Sequence, residues 1–571
     1  MKYRIIDGIA PFFINTTPNT TVNWSKVPFN SLETNGYLDL ELSARVIDKF
    51  RLFVRQAAEI GYNAVTLDDL PHLIPADFYP AKLNEKIRAY QSFYRRLISI
   101  AESFGMVVFI TADIMYFNEW IEEYTRNRDF RIIRLLGTAI RNLFKNFPSV
   151  EGIIFRIGES DGLDVQTDFG SRLTIKTPRQ ARRFVRSLLA IFERYEKLMI
   201  IRTWSIGAYA IGDLMWNAST YRQVFGGIQS DSLVISHKFG TTDFFRYLEI
   251  NPLFFEGTQQ KIIELQTRRE YEGFGEFPSF VGYDYAHYNH ELSLTDTLAG
   301  IYVWCNTGGW SHFNRLTFLD KTSLWNEVNT FVTLKIFSEG MSVEDAVREF
   351  YRKWFHGQKE DVLVKLLKLS DKVIKTGWYV PGLGQRILYF RRLRVPPLLW
   401  IFWDTIIVNH TLRRILKRLV ADRREAIKDG YHSLLLVQEM KECARQLQLD
   451  LEPFEFQFET FKLLAVIREY FFSKWDPGLI DSVENAIERY KRLYPDGFSV
   501  ESDFSPFPLR RSIMEMIFKI FLRTRPQYSR FEKFFLIRLI RWVYPVIDTW
   551  QRRRLPDISR KQAMGIQTLF K

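Results

Sequence analysis

What this chain lacks sets the first bounds on what it does. Two cysteines, Cys305 and Cys443, in 571 residues cannot build a disulfide framework, and no four-ligand zinc spacing occurs. The opening residues Met1-Lys2-Tyr3-Arg4-Ile5-Ile6-Asp7 hold no apolar core and no cleavage site, so no secretory leader is read and a cytoplasmic address is expected. No apolar run reaches the roughly 18–20 residues that a membrane span requires. No strand is followed by a glycine-rich turn of the dinucleotide or phosphate-loop kind.

What remains is a globular composition, 46% hydrophobic and 25% charged, with a high aromatic share of 16%. The length exceeds what one core ordinarily organises, so two domains are expected. Residues 1–330 are about neutral, so the net charge of +13 falls wholly after about residue 330, and that asymmetry marks the expected boundary between residues 1–330 and 331–571.

The first part reads as short apolar strands alternating with amphipathic helices. Strands are expected at Gly8–Ile14, Asn63–Leu67, Met106–Thr111, Gly152–Ile157, Leu198–Thr203, Ser232–His237, Ile262–Thr267 and Gly300–Trp304. Helical periodicity lies between them, as in Leu42–Ile60, Leu83–Phe104, Phe130–Phe147 and Pro178–Tyr195. About eight such units predict an α/β fold, the (β/α)8 barrel, rather than a doubly wound open sheet. The segment Ile262–Gly273 organises the reading. Ile263 and Leu265 share one face of its strand, and Glu264, Gln266 and Arg268 share the other, which needs a polar interior to point into.

Beyond residue 330 helical periodicity dominates, from Val343–Phe355 to Ile480–Leu493, and no strand alternation is read. Two aromatic-rich apolar runs with arginine flanks, Val395–Val408 and Phe531–Ile547, are compatible with peripheral contact at the inner membrane surface or with a core helix. Basic charge also suits a phosphate backbone, but no recognition module supports nucleic-acid binding.

Acids stand just past three strands. Glu159 lies in Ile157-Gly158-Glu159-Ser160-Asp161-Gly162, Asp243 in Gly240-Thr241-Thr242-Asp243-Phe244, and Glu270 in Arg268-Arg269-Glu270-Tyr271. Barrel enzymes keep their chemistry at this end. Glycoside hydrolysis needs such a set: one carboxyl to protonate the leaving oxygen and another to activate water or attack the anomeric carbon. Arg202 and Trp204, two apart, offer a cation and a stacking plane, and Lys238 offers a second cation.

The order and spacing of these pieces resemble the microbial α-glucuronidases of glycoside hydrolase family 67 through most of residues 50–330. The resemblance rests on Ile60-Gly61-Tyr62-Asn63-Ala64-Val65, Gly158-Glu159-Ser160-Asp161-Gly162, Arg202-Thr203-Trp204, Lys238 with Asp243-Phe244, and Glu264-Leu265-Gln266 with Glu270-Tyr271-Glu272-Gly273. It implies a barrel that cleaves an α-linked uronic acid from an acidic glycan with inversion, without metal or cofactor. Glu159 falls at the general acid, Asp243 and Glu270 at the carboxylates that activate water, and Arg202 and Lys238 at basic residues of the sugar pocket. A homodimer through the helical domain is also implied. Asp68 and Asp69 stand where the family has asparagines, and Cys305-Asn306-Thr307-Gly308-Gly309-Trp310 lacks its acid and arginine. The expected substrate-binding set is therefore Arg202, Trp204, Lys238, Asp68, Asp69, Trp304 and Trp310. The competing expectation is a catalytically silent glycan-binding or polysaccharide-assembly protein at the membrane surface.

Overall fold

The computed structural model describes residues 1–13, 26–157, 168–205, 207, 209–306, 324–402, 404–505 and 522–524. Glu159, Trp310 and the run Phe531–Ile547 lie outside these residues.

Eight parallel strands close on themselves: β1 (Tyr3–Asp7), β2 (Ala64–Leu67), β3 (Val107–Asp113), β4 (Val150–Arg156), β5 (Leu198–Arg202), β6 (Leu233–Lys238), β7 (Gln260–Gln266) and β8 (Leu298–Trp304). Each pairs with its neighbours in sequence, and β8 returns to β1, with Ile5 opposite Tyr302. This is the (β/α)8 barrel, with a helical C-terminal region. Its strands are nearly all apolar because helices cover their outer faces while side chains fill the interior.

The first strand lies earlier than the apolar pattern suggests. Tyr3–Asp7 forms β1, whereas part of Gly8–Ile14 is a 3-10 turn at Ala10–Phe13. Pro11 has no N–H to give a sheet ladder. Arg4, which obscures the pattern in β1, turns its guanidinium back to donate to the Gly61 carbonyl at 2.7 Å.

Closure of the barrel needs two glycines. Gly152 on β4 and Gly300 on β8 sit where the ladder register shifts, opposite Phe109 and Ile262. A Cβ on either would lie 2.2 Å from the carbonyl oxygen of a neighbouring strand, so any side chain would push the strands apart.

The helices follow local signals. In α1 (Leu40–Ile60) the Asp39 side chain accepts from the N–H groups of Glu41 and Leu42, and Gly61 closes the helix at φ 111°. Val46, Ile47, Phe50, Phe53, Val54 and Ala57 line its buried face at intervals of three and four. α2 (Ala81–Ser103), α3 (Asp129–Asn146) and α4 (Pro178–Tyr195) repeat the pattern, and α4 has Thr177 as its cap and Pro178 in its first turn.

After β8 the chain enters α5 (Leu324–Leu334), α6 (Val343–Trp354), α7 (Glu360–Val373), α8 (His410–Leu419), α9 (Arg423–Gln446), α10 (Glu452–Phe472) and α11 (Gly478–Leu493). Two small sheets interrupt the helices among the described residues, contrary to the expectation that no strand occurs there: a hairpin in which Tyr389–Phe390 pairs antiparallel with Leu393–Arg394, and a larger one of three strands. In the larger, β9 (Thr405–Asn409) pairs antiparallel with Ile401–Phe402 and parallel with β10 (Ser499–Asp503). The Val395–Val408 run is thus loop and strand, not a helix, and Trp400, Ile406 and Val408 are buried in it. β-Branched Thr405, Ile406, Ile407 and Val408 favour that outcome. No helix among the described residues is long and apolar enough to cross a membrane.

Buried charge joins the barrel to the helices. Arg246, 1% exposed, donates to Glu272 Oε1 at 2.9 Å, to Asp284 at 2.8 Å, to Asp371 on α7 at 2.9 Å and to the Phe280 carbonyl at 2.6 Å. Burial alone would raise the Glu272 carboxyl, but Arg246 and Arg269 hold it well below the usual carboxylate range. Arg468 of α10, buried without a described carboxylate partner, instead donates to the carbonyls of Thr376 and Tyr379 at 2.6 and 2.8 Å.

Candidate active site

Alternation along the strands turns a polar row into the barrel near its C-terminal end. Ladder register aligns Lys238 with Glu264 and Tyr302, and Gln266 with Trp304, so these side chains share the inner face. Arg202 on β5 joins them through its alignment with Ser236.

Glu264 is the centre of this layer and is completely buried. Arg202 grips it with two parallel bonds, Nε to Oε1 at 2.9 Å and Nη2 to Oε2 at 2.8 Å. The Ser236 hydroxyl adds a third bond at 2.8 Å. The Arg202 guanidinium also lies 4.4 Å from the centre of the Trp304 ring, whose other neighbour is Tyr302 at 4.8 Å. Sequence reading places Glu264 on the inner face but does not single it out as a site residue, because its partner is 62 positions away.

Beside Glu264 in the register, Lys238 reaches towards the mouth, where its Nζ donates to Asp243 Oδ1 at 2.6 Å and lies 3.5 Å from the Trp204 ring centre. Tyr271 Oη donates to the second oxygen of Asp243 at 2.7 Å, and the Phe244 N–H to the first at 2.9 Å. Trp204 packs with Met215, Trp216 and Tyr389, which fixes the plane against which Lys238 rests. Glu270 follows β7 by one turn of chain. Its Oε2 accepts from the Gln266 amide at 3.0 Å, and its own N–H donates to Gln266 Oε1 at 2.9 Å. Arg269, between strand end and Glu270, adopts φ 61° and turns into the buried pair with Glu272.

Arg268 is buried as well, and burial lowers its proton affinity against the opposing pull of Glu276, Glu270 and Asp7. Across the barrel, Asp68 is 1% exposed and accepts from the Val27 N–H at 2.9 Å and from the Thr111 hydroxyl. Burial raises its carboxyl above the usual range, with Arg156 opposing. Asp69 turns the other way. It pairs with His72 Nδ1 at 2.5 Å, and that imidazole stacks on Phe29 with ring centres 3.5 Å apart. Consecutive residues at a strand end cannot both face inward, so Asp68 alone of the two reaches the interior.

Arg156 and Lys26 converge on Asp113, at 2.9 and 2.5 Å. Burial pushes that carboxyl up, but the two cations outweigh it and bring it down to about 2. Sequence reading missed Asp113, Arg156 and Lys26; only the inward parity of β3 and β4 hinted at the first two. Asp7 ends β1 and accepts from the N–H groups of Cys305 and Asn306 at 2.6 and 3.1 Å, tying the last strand to the first.

The arrangement thus gathers Arg202, Trp204, Lys238, Asp243, Glu270, Trp304 and Asp68 at one end of the barrel, and sets Asp69 aside. No group of three or more acidic, histidine or cysteine side chains suited to a metal ion occurs among the described residues.

No protein-family model matches the chain, and no curated protein matches it. Solved structures similar to it include a GH138 enzyme targeting pectin rhamnogalacturonan II, at 11% identity and a TM-score of 0.48, over 87% of this chain and 63% of that one. An O-GlcNAc hydrolase from Thermobaculum terrenum is similar at 11% identity and 0.38, over 79% and 88% of the two chains. A beta-mannanase from the blue mussel Mytilus edulis is similar at 15% identity and 0.33, over 57% and 93%. These neighbours are glycoside hydrolases, and the chain spans 63% of the length of the pectin enzyme it matches. The fold itself rests on the strand order, and no residue role is taken from the neighbours.

Proposed function

We propose that this chain is a glycoside hydrolase that releases an α-linked uronic acid, or a related sugar, from an acidic glycan with inversion of configuration. The observation that carries the reading is the pair of partly buried carboxylates, Asp243 and Glu270, following adjacent strands at the barrel mouth beside the rings of Trp204 and Trp304. Glu159, just past β4, serves as general acid and protonates the glycosidic oxygen as the bond to the anomeric carbon breaks. Asp243 and Glu270 activate a water that attacks that carbon from the opposite face, one carboxylate orienting it while the other takes its proton. Inversion asks for about 6.5–9.5 Å between acid and base, so that sugar and water fit together.

The supports of Asp243 matter to this role. Lys238 and Tyr271 fix both of its oxygens, which orients the carboxylate before substrate arrives and lowers the reorganisation left for the transition state. The Gln266 amide does the same for Glu270.

The test is a screen of acidic and neutral α-linked oligosaccharides, with the anomer of the released sugar followed by NMR before mutarotation. Inverted product is expected, and Glu159→Gln and Asp243→Asn should each lower turnover by about 10³-fold or more while far-UV circular dichroism is unchanged. Retained configuration would overturn the inverting assignment. Undiminished turnover in Glu159→Gln would remove it as the acid.

A further inference from the structure

The cations at the barrel mouth have carboxylate neighbours built into the protein. Arg202 is held by Glu264 through two bonds, Lys238 by Asp243, Arg156 and Lys26 by Asp113, and Arg268 lies in the field of Glu276, Glu270 and Asp7. The two cations expected to greet a substrate carboxylate are therefore matched already, and Glu264 is wholly buried in that match. A uronate entering here would have to compete with Glu264 for Arg202 or with Asp243 for Lys238. It would also place its charge beside Asp243 and Glu270, where like charges repel.

Among the described residues the site also offers a neutral donor. Trp304 points into the barrel from β8, is 6% exposed, and its buried indole Nε1–H has no hydrogen-bond partner among the described residues. A buried donor without an acceptor is costly to leave unsatisfied, and a sugar hydroxyl oxygen would satisfy it.

We propose that Glu264 sets the charge preference of this site: by neutralising Arg202 it makes the sugar at the cleavage point a neutral pyranoside, with Trp304 Nε1 donating to one of its hydroxyl groups. This rests on the glycosidase reading and narrows it to the related, uncharged sugar.

The experiment compares the full-length chain on matched 4-nitrophenyl α-glycosides, neutral hexosides against the corresponding uronides, and runs saturation-transfer NMR with the free neutral and uronic monosaccharides. The neutral series should exceed the uronide series by tenfold or more in kcat/KM. Glu264→Gln, which leaves Arg202 its charge without its partner, should shift that ratio towards the uronide by at least tenfold. The double variant Arg202→Gln with Glu264→Gln should show no such shift, which controls for simple loss of fold. Preference of the wild-type chain for uronides, or an unchanged ratio in folded Glu264→Gln, would overturn the proposal. If no glycoside is cleaved, the glycosidase reading fails, and the NMR arm still decides the inference: neutral sugar bound over uronate supports it, and uronate bound over neutral sugar, or neither bound, sinks it.

Discussion

Replacing Arg246 by methionine isolates what the buried charge cluster contributes to the fold. Methionine retains most of the volume and forfeits the donors, so the effect reports lost charge rather than a cavity. Three carboxylates lose a partner: Glu272, fully buried, and Asp284 and Asp371, whose side chains are 19% and 14% exposed. Removal of one side of a buried pair typically costs about 3–5 kcal/mol. The lower end applies here, because Arg269 still holds Glu272 at 2.5 Å and Lys375 still holds Asp284 and Asp371 at 2.7 and 2.9 Å. About 3 kcal/mol is therefore expected from urea unfolding followed by tryptophan fluorescence, read on the first transition. Neutralising the orphaned acid in the double variant Arg246→Met with Glu272→Gln should recover at least about 1 kcal/mol of this. A single variant within about 0.5 kcal/mol of wild type would refute the claim that the cluster is held by charge.

Three shorter predictions follow from other parts of the molecule. Asp113 is held at about 2 against an ordinary 3.8, so its contribution is fully present above pH 3.8 and is lost as pH falls through 2. That difference corresponds to about 2 kcal/mol, and Lys26→Met should flatten the acid limb of a pH-stability curve while leaving the neutral limb lower. Gly275 adopts φ 79° with its missing Cβ only 2.4 Å from the Arg268 carbonyl oxygen, so Gly275→Ala should cost about 1–3 kcal/mol in thermal or urea unfolding. Trp304→Phe keeps a ring under Arg202 and removes the indole donor. It should weaken sugar binding by about fivefold to tenfold, read by titration NMR on protein shown to be folded by far-UV circular dichroism.

The barrel was legible in the sequence because its strands are covered on both faces and its helices on one. Periods of two and 3.6 therefore survive in the chain, as at α1, where Val46, Phe50, Phe53 and Ala57 line one side. The apolar pattern misplaces β1 because Arg4 interrupts it there while the Ile9–Phe13 segment imitates one across Pro11. β9 and β10 escaped because the strands that pair in them are some 90 residues apart, as Thr405 with Ser499, and no local pattern announces a partner at that range. The candidate site divides along the same line. Asp243, Glu270 and Arg202 declare themselves by standing at strand ends, whereas the clasp of Arg202 on Glu264 and of Lys26 on Asp113 depends on register and loop path.

Tyr271 has a second attachment besides Asp243: its carbonyl accepts the Trp378 indole N–H at 2.8 Å, and Trp378 is wholly buried beyond α7. One of the two side chains that aim the mouth carboxylate is thereby braced from outside the eight-stranded frame. A fragment ending near residue 330 would forfeit that brace together with Asp371, so severing the chain there should cripple turnover even where the remaining strands still assemble.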